Sequence, residues 1–421
     1  MDRGPRHPEV VVVGAGLAGL ACAVRLHAAN VRCLVLEASD DVGGRVRTDE
    51  VEGFRLDRGF QVLLTAYPEA RAQLDLDALD LQPYRPGALI RRGGRFHALG
   101  DPFRRPSQAL HTLTSPVGSL TDKLRVGLLR RACLRGDVAR QMSHDETTTL
   151  AFLEQRGFSE TMIEGFFRPF LGGVFLDPDL QTSSRMLRFV MRMFASGQAA
   201  VPALGMGAIP RQLAERLPRG TVRLGATVVE VSPGRVVLAG GEVIETGAIV
   251  VATDGETAAG WLPDVTAPRW NATTCLYFVA DTPPVDQPIL VLDGDGQGPV
   301  NNLCVPTVVA PAYGPPDATL ISATVLGGDS TAGDLVARVR RQLADWFGPD
   351  VEHWRHLRTY HIPRALPRQE PGWLDPPERP VRHADRLYAT GDHLDTASTN
   401  GALAAGRRAA AAVLEDRAAR A

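Results

Sequence analysis

Val10-Val11-Val12-Val13-Gly14-Ala15-Gly16-Leu17-Ala18-Gly19 decides the fold. Four consecutive β-branched residues favour a strand buried on both faces. The glycines that follow favour a tight turn into a helix, which the apolar spacing carries to about residue 29. A second strand is predicted over residues 31–36, and Glu37 stands at its end, 18 residues after Gly19. Strand, glycine turn, helix and strand, closed by an acid, is the arrangement that holds a dinucleotide. Glycines fall at this spacing by chance in a chain that has 42 of them, so the flanking strand and helix carry the reading. Gly14 permits the turn, Gly16 lets backbone approach a pyrophosphate, and Gly19 lets the helix pack on the strand. Leu17 and Ala18 open the helix and offer N–H groups to phosphate. Glu37, with Ala38 beside it, would accept from ribose hydroxyls.

Immediately downstream runs Leu36-Glu37-Ala38-Ser39-Asp40-Asp41-Val42-Gly43-Gly44-Arg45-Val46-Arg47-Thr48. An arginine next to a diphosphate can pair with it bidentately. This stretch resembles the flavin signature of the amine oxidase, phytoene desaturase and protoporphyrinogen oxidase superfamily. The resemblance implies FAD as cofactor, with Gly43, Gly44 and Arg45 reaching the pyrophosphate and the flavin side. Asp57-Arg58-Gly59-Phe60-Gln61 resembles the segment beside the isoalloxazine ring, which brings in Gly59, Phe60 and Gln61. By the same resemblance Val228 gives backbone contacts to the adenine, and Ala389-Thr390-Gly391-Asp392 with Asn400-Gly401-Ala402 forms the C-terminal flavin motif. From that motif Gly391, Asp392, Asn400 and Ala402 are expected at the cofactor. No cysteine or histidine matches a covalent attachment point, so the FAD is expected to be non-covalent. A helix starting at residues 398–401 would aim its N-terminus at the flavin N1–C2=O edge and favour the reduced form; the alternative is an ordinary capped alanine-rich helix.

The fold class expected is α/β: a Rossmann-like FAD-binding domain interleaved with a mixed α+β substrate domain that carries a helical insertion. The FAD-binding domain takes in 1-65, 205-260 and 383-421, and the substrate-binding domain 66-204 and 261-382. Helical spacing of Leu, Phe and Met marks the insertion, at about 119–197, while short strands separated by Pro- and Gly-rich turns return after residue 221. Pro169-Phe170-Leu171-Gly172-Gly173-Val174-Phe175 resembles a protoporphyrinogen oxidase segment. Otherwise the likeness covers the FAD domain well and the substrate domain poorly.

Composition narrows the function. The 421 residues are 44% hydrophobic and 22% charged with a net charge of -2, which argues against wholesale disorder and against nucleic-acid binding. The five cysteines are scattered, with no metal-ligand spacing, so no metal site and a reducing, cytoplasmic setting are expected. The polar lead of residues 1–7 leaves no room for a signal peptide before the first strand. Amine oxidases of the family usually place a lysine near flavin N5 on a substrate-domain strand. The corresponding region, 271–279, holds none, and the sole lysine is Lys123. Nor does the region 395–400 hold an aromatic pair to cage an amine. His361 could accept a proton, since histidine titrates near neutrality; a structural or surface histidine is the alternative. The basic stretch 119–135, with Leu120, Leu124 and Leu128, is read as a solvated helix packed on a core, with peripheral membrane contact as the alternative. The leading functional expectation is dehydrogenation of a small apolar substrate by hydride transfer to flavin N5, desaturase- or protoporphyrinogen-oxidase-like, with oxygen or a quinone-like electron acceptor. A flavin amine oxidase is the second reading, and a redox-neutral flavin-binding protein or isomerase the third.

Overall fold

A computed structural model describes residues 8–100, 115–327 and 333–420; the lead 1–7 lies outside them. The four valines form the strand Val10–Val13, all buried. It sits inside a six-stranded sheet ordered Val222–Arg223, Cys33–Leu36, Val10–Val13, Ala248–Val251, Leu387–Ala389 and Arg382–Ala384. The first five run parallel and the last antiparallel. The sheet is thus drawn from three distant parts of the chain.

Because side chains alternate along a strand, the valines serve two cores. Val10 and Val12 join Leu20 and Leu26 of the helix Leu17–Ala28 and Leu403 of the last helix, Thr399–Ala418. Val11 and Val13 join Val228, Val236 and Leu238 of a small antiparallel sheet, Val228–Ser232, Arg235–Leu238 and Val243–Glu245, on the other face. The two helices touch backbone to backbone: a Cβ on Gly406 would fall 2.3 Å from the Ala18 carbonyl oxygen.

A second, seven-stranded sheet runs in the order Arg355–Pro367, Trp270–Ala280, Thr319–Leu326, Val300–Cys304, Leu290–Asp293, Gly87–Arg92 and Arg95–Gly100. Its neighbours are antiparallel except Leu290–Asp293 against Gly87–Arg92. The hairpin Gly87–Gly100 was not expected from the sequence. Its signal is Gly93-Gly94, both at positive φ (58° and 74°), which suits a two-residue hairpin turn; arginines on either side mask the apolar alternation. One face of this sheet is covered by the helix Leu335–Phe347, where Leu276 and Phe278 meet Val339, Leu343 and Trp346.

Much of 120–196 is helical, including Leu120–Leu134, Thr149–Gln155 and Ser184–Ser196. The first is held by a capping box in which Ser119 and Asp122 satisfy each other's backbone N–H groups. Its leucines correct the expectation of a face packed on a core. Leu120, Leu124 and Leu128 are 65%, 65% and 58% exposed, while Asp122 is fully buried. The carboxylate is drawn inward by hydrogen bonds from Ser119 and Ser159, which turns the i, i+4, i+8 leucine row outward. No helix among the described residues is long and apolar enough to cross a membrane.

Candidate functional site

At the end of Val10–Val13 the chain turns through Gly14, at φ 109°, whose N–H donates to the Leu36 carbonyl at 2.7 Å. A Cβ there would lie 2.7 Å from the Ala252 carbonyl oxygen, and one on Gly19 only 2.0 Å from that of Gly14. Both glycines are therefore demanded by the folded backbone. Gly16 differs: it has extended φ/ψ (-72°, 178°), and a Cβ would meet nothing within 4 Å. It caps the helix Leu17–Ala28 without a side-chain hydrogen bond. Gly16 pairs with Gly43 in an isolated parallel bridge, and the Cβ position of Gly44 lies 3.5 Å from the Gly16 Cα. A helix start without a side-chain cap, bordered by three glycines, has the room and the polarity for a pyrophosphate.

Glu37 stands beside this opening. Its carboxylate accepts from the Ala15 N–H at 2.7 Å, the Ser39 N–H at 2.9 Å and the Ser39 hydroxyl at 2.6 Å. Glu37 thus fastens the glycine turn to the next segment, and Ala38 beside it is exposed. Val228 is two residues from Ala226, whose N–H donates to the Glu37 carbonyl at 2.8 Å, so it borders the same end of the cradle.

On the other side Arg45 crosses to the C-terminal segment. Its Nη2 contacts the Asp392 carboxylate at 2.5 Å, its Nη1 donates to the Ala365 carbonyl at 3.1 Å, and the guanidinium lies 5.4 Å from the Trp270 ring centroid. The Gln61 amide donates to the carbonyls of Arg45 and Arg58 at 2.9 and 3.0 Å. Gly391 takes φ 156°, where a Cβ would strike the His393 ring at 2.5 Å. Just before it, the buried Thr390 hydroxyl has no hydrogen-bond partner, an orphan that a ligand oxygen could satisfy. Glu37 is thus tied to the glycine turn, Gly16 to Gly43, and Arg45 to both Gln61 and Asp392.

The last helix starts at Thr399, and the Ser398 hydroxyl already accepts from the Gly401 N–H at 3.0 Å. The Ala402 N–H is spent on the Ser398 carbonyl, and the Asn400 side chain accepts from the Glu69 N–H at 3.0 Å. This end is a capped helix start, the alternative weighed from the sequence, with fewer N–H groups left for a ligand than an uncapped one.

Sequence reasoning missed Asp57 as a joint. Its buried carboxylate accepts from the Thr48 hydroxyl (2.5 Å), the Met206 N–H (2.9 Å) and the Tyr313 hydroxyl (2.8 Å), and its carbonyl accepts from Tyr277 at 2.8 Å. Burial pushes the acid up, those donors pull it partly back, and it comes to rest at about 6. The segment that follows is held in turn by Gly59, at φ 92°, where a Cβ would lie 2.9 Å from Ile362 Cδ1, and by Phe60, which meets Tyr84 edge to face at 6.2 Å.

Alternation along the paired strands Trp270–Ala280 and Arg355–Pro367 separates what faces this segment from what does not. Tyr277 reaches Asp57, and Tyr360, paired with Cys275, reaches Asp49 at 2.8 Å. Thr274 and His361, paired with each other, lie on the opposite face, where the Thr274 hydroxyl and His361 Nδ1 are 3.0 Å apart. His361 is exposed and faces away from Asp57, so the proton-acceptor expectation draws nothing from its position. Lys123 lies on the helix Leu120–Leu134, its Nζ donating to the Ser115 carbonyl at 2.7 Å.

The model of the family described as flavin containing amine oxidoreductase matches residues 17–414. Coproporphyrinogen III oxidase of Propionibacterium freudenreichii is 30% identical over 175 residues, 40% of this chain and 32% of that protein. The match thus spans about a third of that relative's length. Among solved structures, an oxidoreductase from Methanosarcina mazei superposes with TM-score 0.73 at 16% identity, covering 96% of this chain and 99% of that one. A putrescine oxidase bound to putrescine superposes with TM-score 0.71 at 19% identity, covering 97% and 99%. At these identities the structural likeness speaks for the fold.

Proposed function

We propose, from the premise that this chain belongs to the flavin-containing amine oxidoreductase family and has FAD as its cofactor, that it dehydrogenates a small apolar substrate and does not require an amine. Bound FAD would supply the hydride acceptor at N5 and a route for the electron pair to oxygen or a quinone-like acceptor, while the proton lost with the hydride would pass to water or a weak base. The six-stranded sheet, drawn from 1-65, 205-260 and 383-421, is read as a Rossmann-like FAD domain, with 66-204 and 261-382 forming the substrate domain. In this reading the N–H groups of Leu17, Ala18 and Gly19 receive the pyrophosphate at the Gly16 opening. Glu37 keeps the turn in shape and offers its remaining lone pairs to the ribose. Arg45 is held by the Asp392 carboxylate and the Ala365 carbonyl with the Trp270 ring beside it, so its fork is oriented before any ligand arrives. FAD is held without a covalent bond.

One observation carries the choice of substrate. The strand face of Cys275 and Tyr277, turned towards the Asp57–Gln61 segment, bears no lysine, and Lys123 is engaged at Ser115 on another element. A lysine that activates water for an amine is therefore missing where it would act. The partly buried rings Phe166 and Phe170, with centroids 5.3 Å apart, lie against the Ala88 and Ile90 side of the seven-stranded sheet, and Phe194 continues the series 5.3 Å beyond Phe170. Such a surface suits a flat apolar molecule better than a cation.

The test is anaerobic flavin reduction, followed by absorbance, with primary amines, amino acids, carotenoid precursors and porphyrinogens. The expected result is bleaching at catalytic rates by an apolar candidate and none by simple amines. Bleaching by amines alone would replace this reading with the amine oxidase, and a flavin that cycles with no net oxidation of substrate would replace it with the redox-neutral class.

A further inference from the structure

The helical region contains a cluster of positive charge that the proposed flavin site does not use. At its centre is Arg188, on the helix Ser184–Ser196, which is only 8% exposed. Its buried Nε has no hydrogen-bond partner, and no carboxylate pairs with it among the described residues. Its guanidinium lies 4.9 Å from the ring centroid of Phe152, and that of Arg156 lies 4.8 Å from the same centroid. Two like charges therefore share one ring. The attraction of a cation to a ring offsets only part of the cost of taking an ion out of water. Burial, and then the charges of Arg188, Arg140 and Arg156, hold the His144 imidazole below its ordinary value, and Arg192 donates to the Cys133 carbonyl at 3.0 Å on the adjoining helix. Asp145, the next residue in the chain, is an acid whose charge acts on His144, and it is exposed. Elsewhere in the molecule arginines as buried as Arg188 meet carboxylates: Arg47 pairs with Asp40 and Arg91 with Asp345.

We infer that Arg188, Arg156 and Arg140 form a binding site for a phosphate group, with Arg188 as the buried anchor and the two exposed arginines as its rim. Three guanidinium groups exceed the single charge of a carboxylate and suit a phosphate monoester, which carries about -1.5 to -2 at neutral pH. The planar guanidinium donates two parallel hydrogen bonds to phosphate oxygens, which would satisfy the orphaned donor. A free phosphate and the phosphate of a lipid headgroup present the same chemistry to Arg188.

The experiment uses flavin-loaded protein, so the pyrophosphate cradle is occupied, with flavin retention followed by fluorescence. Thermal midpoints are measured in inorganic phosphate and in chloride at matched ionic strength. In parallel, cosedimentation is measured with vesicles of phosphatidylcholine alone and of phosphatidylcholine with phosphatidic acid. The proposal expects a saturable rise in midpoint specific to phosphate if the source is free, or retention specific to phosphatidic acid if the source is lipid. Arg188→Met should abolish that response, or weaken affinity at least about tenfold, while its midpoint without phosphate equals or exceeds that of the wild type, because an unpaired buried charge is gone. Should Arg188→Met not fold, the exposed pair Arg140→Gln with Arg156→Gln serves the same comparison. The proposal is overturned if wild type responds to neither probe, or if the response survives these substitutions.

Discussion

The glycine turn after Val10–Val13 borders Glu37 and Gly43, the strand Trp270–Ala280 meets Asp57, and the two were built under different constraints. In the turn, a Cβ on Gly14 or Gly19 collides with a carbonyl oxygen of the turn or of the adjoining strand end, so the residue type is fixed by covalent geometry over ten positions. In the strand, what matters is which of two faces each residue takes, and that is fixed by pairing with strands some 45 and 85 residues away. Backbone constraints of the first kind leave a mark in consecutive letters; side-chain facing of the second kind does not.

The sharpest way to break this contrast is Gly19→Ala. Alanine favours helix over glycine by about 1 kcal/mol, so an unconstrained position would be stabilised. Here the Cβ would sit 2.0 Å from the Gly14 oxygen, and the helix must lift off the turn. The expected outcome is a loss of about 3 kcal/mol or more by denaturant unfolding, together with loss of flavin. A neutral or stabilising effect would mean that the turn is not rigid.

Asp57 ties the strand Trp270–Ala280 to the chain beyond the Gly43-Gly44 run, through Tyr277 and Tyr313 on one side and Thr48 and Met206 on the other. Its acid is raised to about 6, against about 3.9 in an unfolded chain. Between those values the folded protein holds a proton that the unfolded chain releases, so this group's contribution to stability falls as pH rises from about 4 to 6 and stays low above. Asp57→Asn removes that dependence. The stability difference, wild type minus variant, should therefore grow by on the order of 2 kcal/mol between pH 7 and pH 4. A difference that does not change with pH would show that Asp57 is already ionised throughout.

The smallest effect is expected at His361→Ala. The side chain is exposed, faces away from Asp57 and Gly59, and lies within hydrogen-bond distance of Thr274. Stability should fall by about 1 kcal/mol or less, with flavin affinity unchanged and the anaerobic reduction rate within about twofold. A loss of 100-fold or more in that rate would return His361 to the chemistry.

What was legible follows the same line. Gly14, Gly16, Gly19, Glu37 and the Gly43-Gly44-Arg45 run could be read because each stands within a few residues of the element that explains it. Asp57 could be read as part of a segment but not as a joint, since Met206, Tyr277 and Tyr313 come from three remote places. The outward row Leu120, Leu124 and Leu128 was misjudged because helical periodicity gives the existence of an apolar stripe and not its direction. The buried Asp122, tied to Ser159, sets that direction from outside the helix. The facing of His361 was hidden for a similar reason: the pairing register of Arg355–Pro367, with its bulges, decides which residues look towards Asp57.

The account rests most heavily on the opening at Gly16, where the backbone tolerates any residue and a Cβ meets no atom within 4 Å. If that space is kept for a pyrophosphate, Gly16→Val should leave the apoprotein's thermal midpoint nearly unchanged while weakening FAD binding by about 100-fold or more, equivalent to about 2.7 kcal/mol. Measuring both quantities on the same preparation, by calorimetry of the apoprotein and flavin titration, tests this directly. FAD binding as tight as in the wild type, with the apoprotein equally stable, would contradict the placement of the cofactor at this opening.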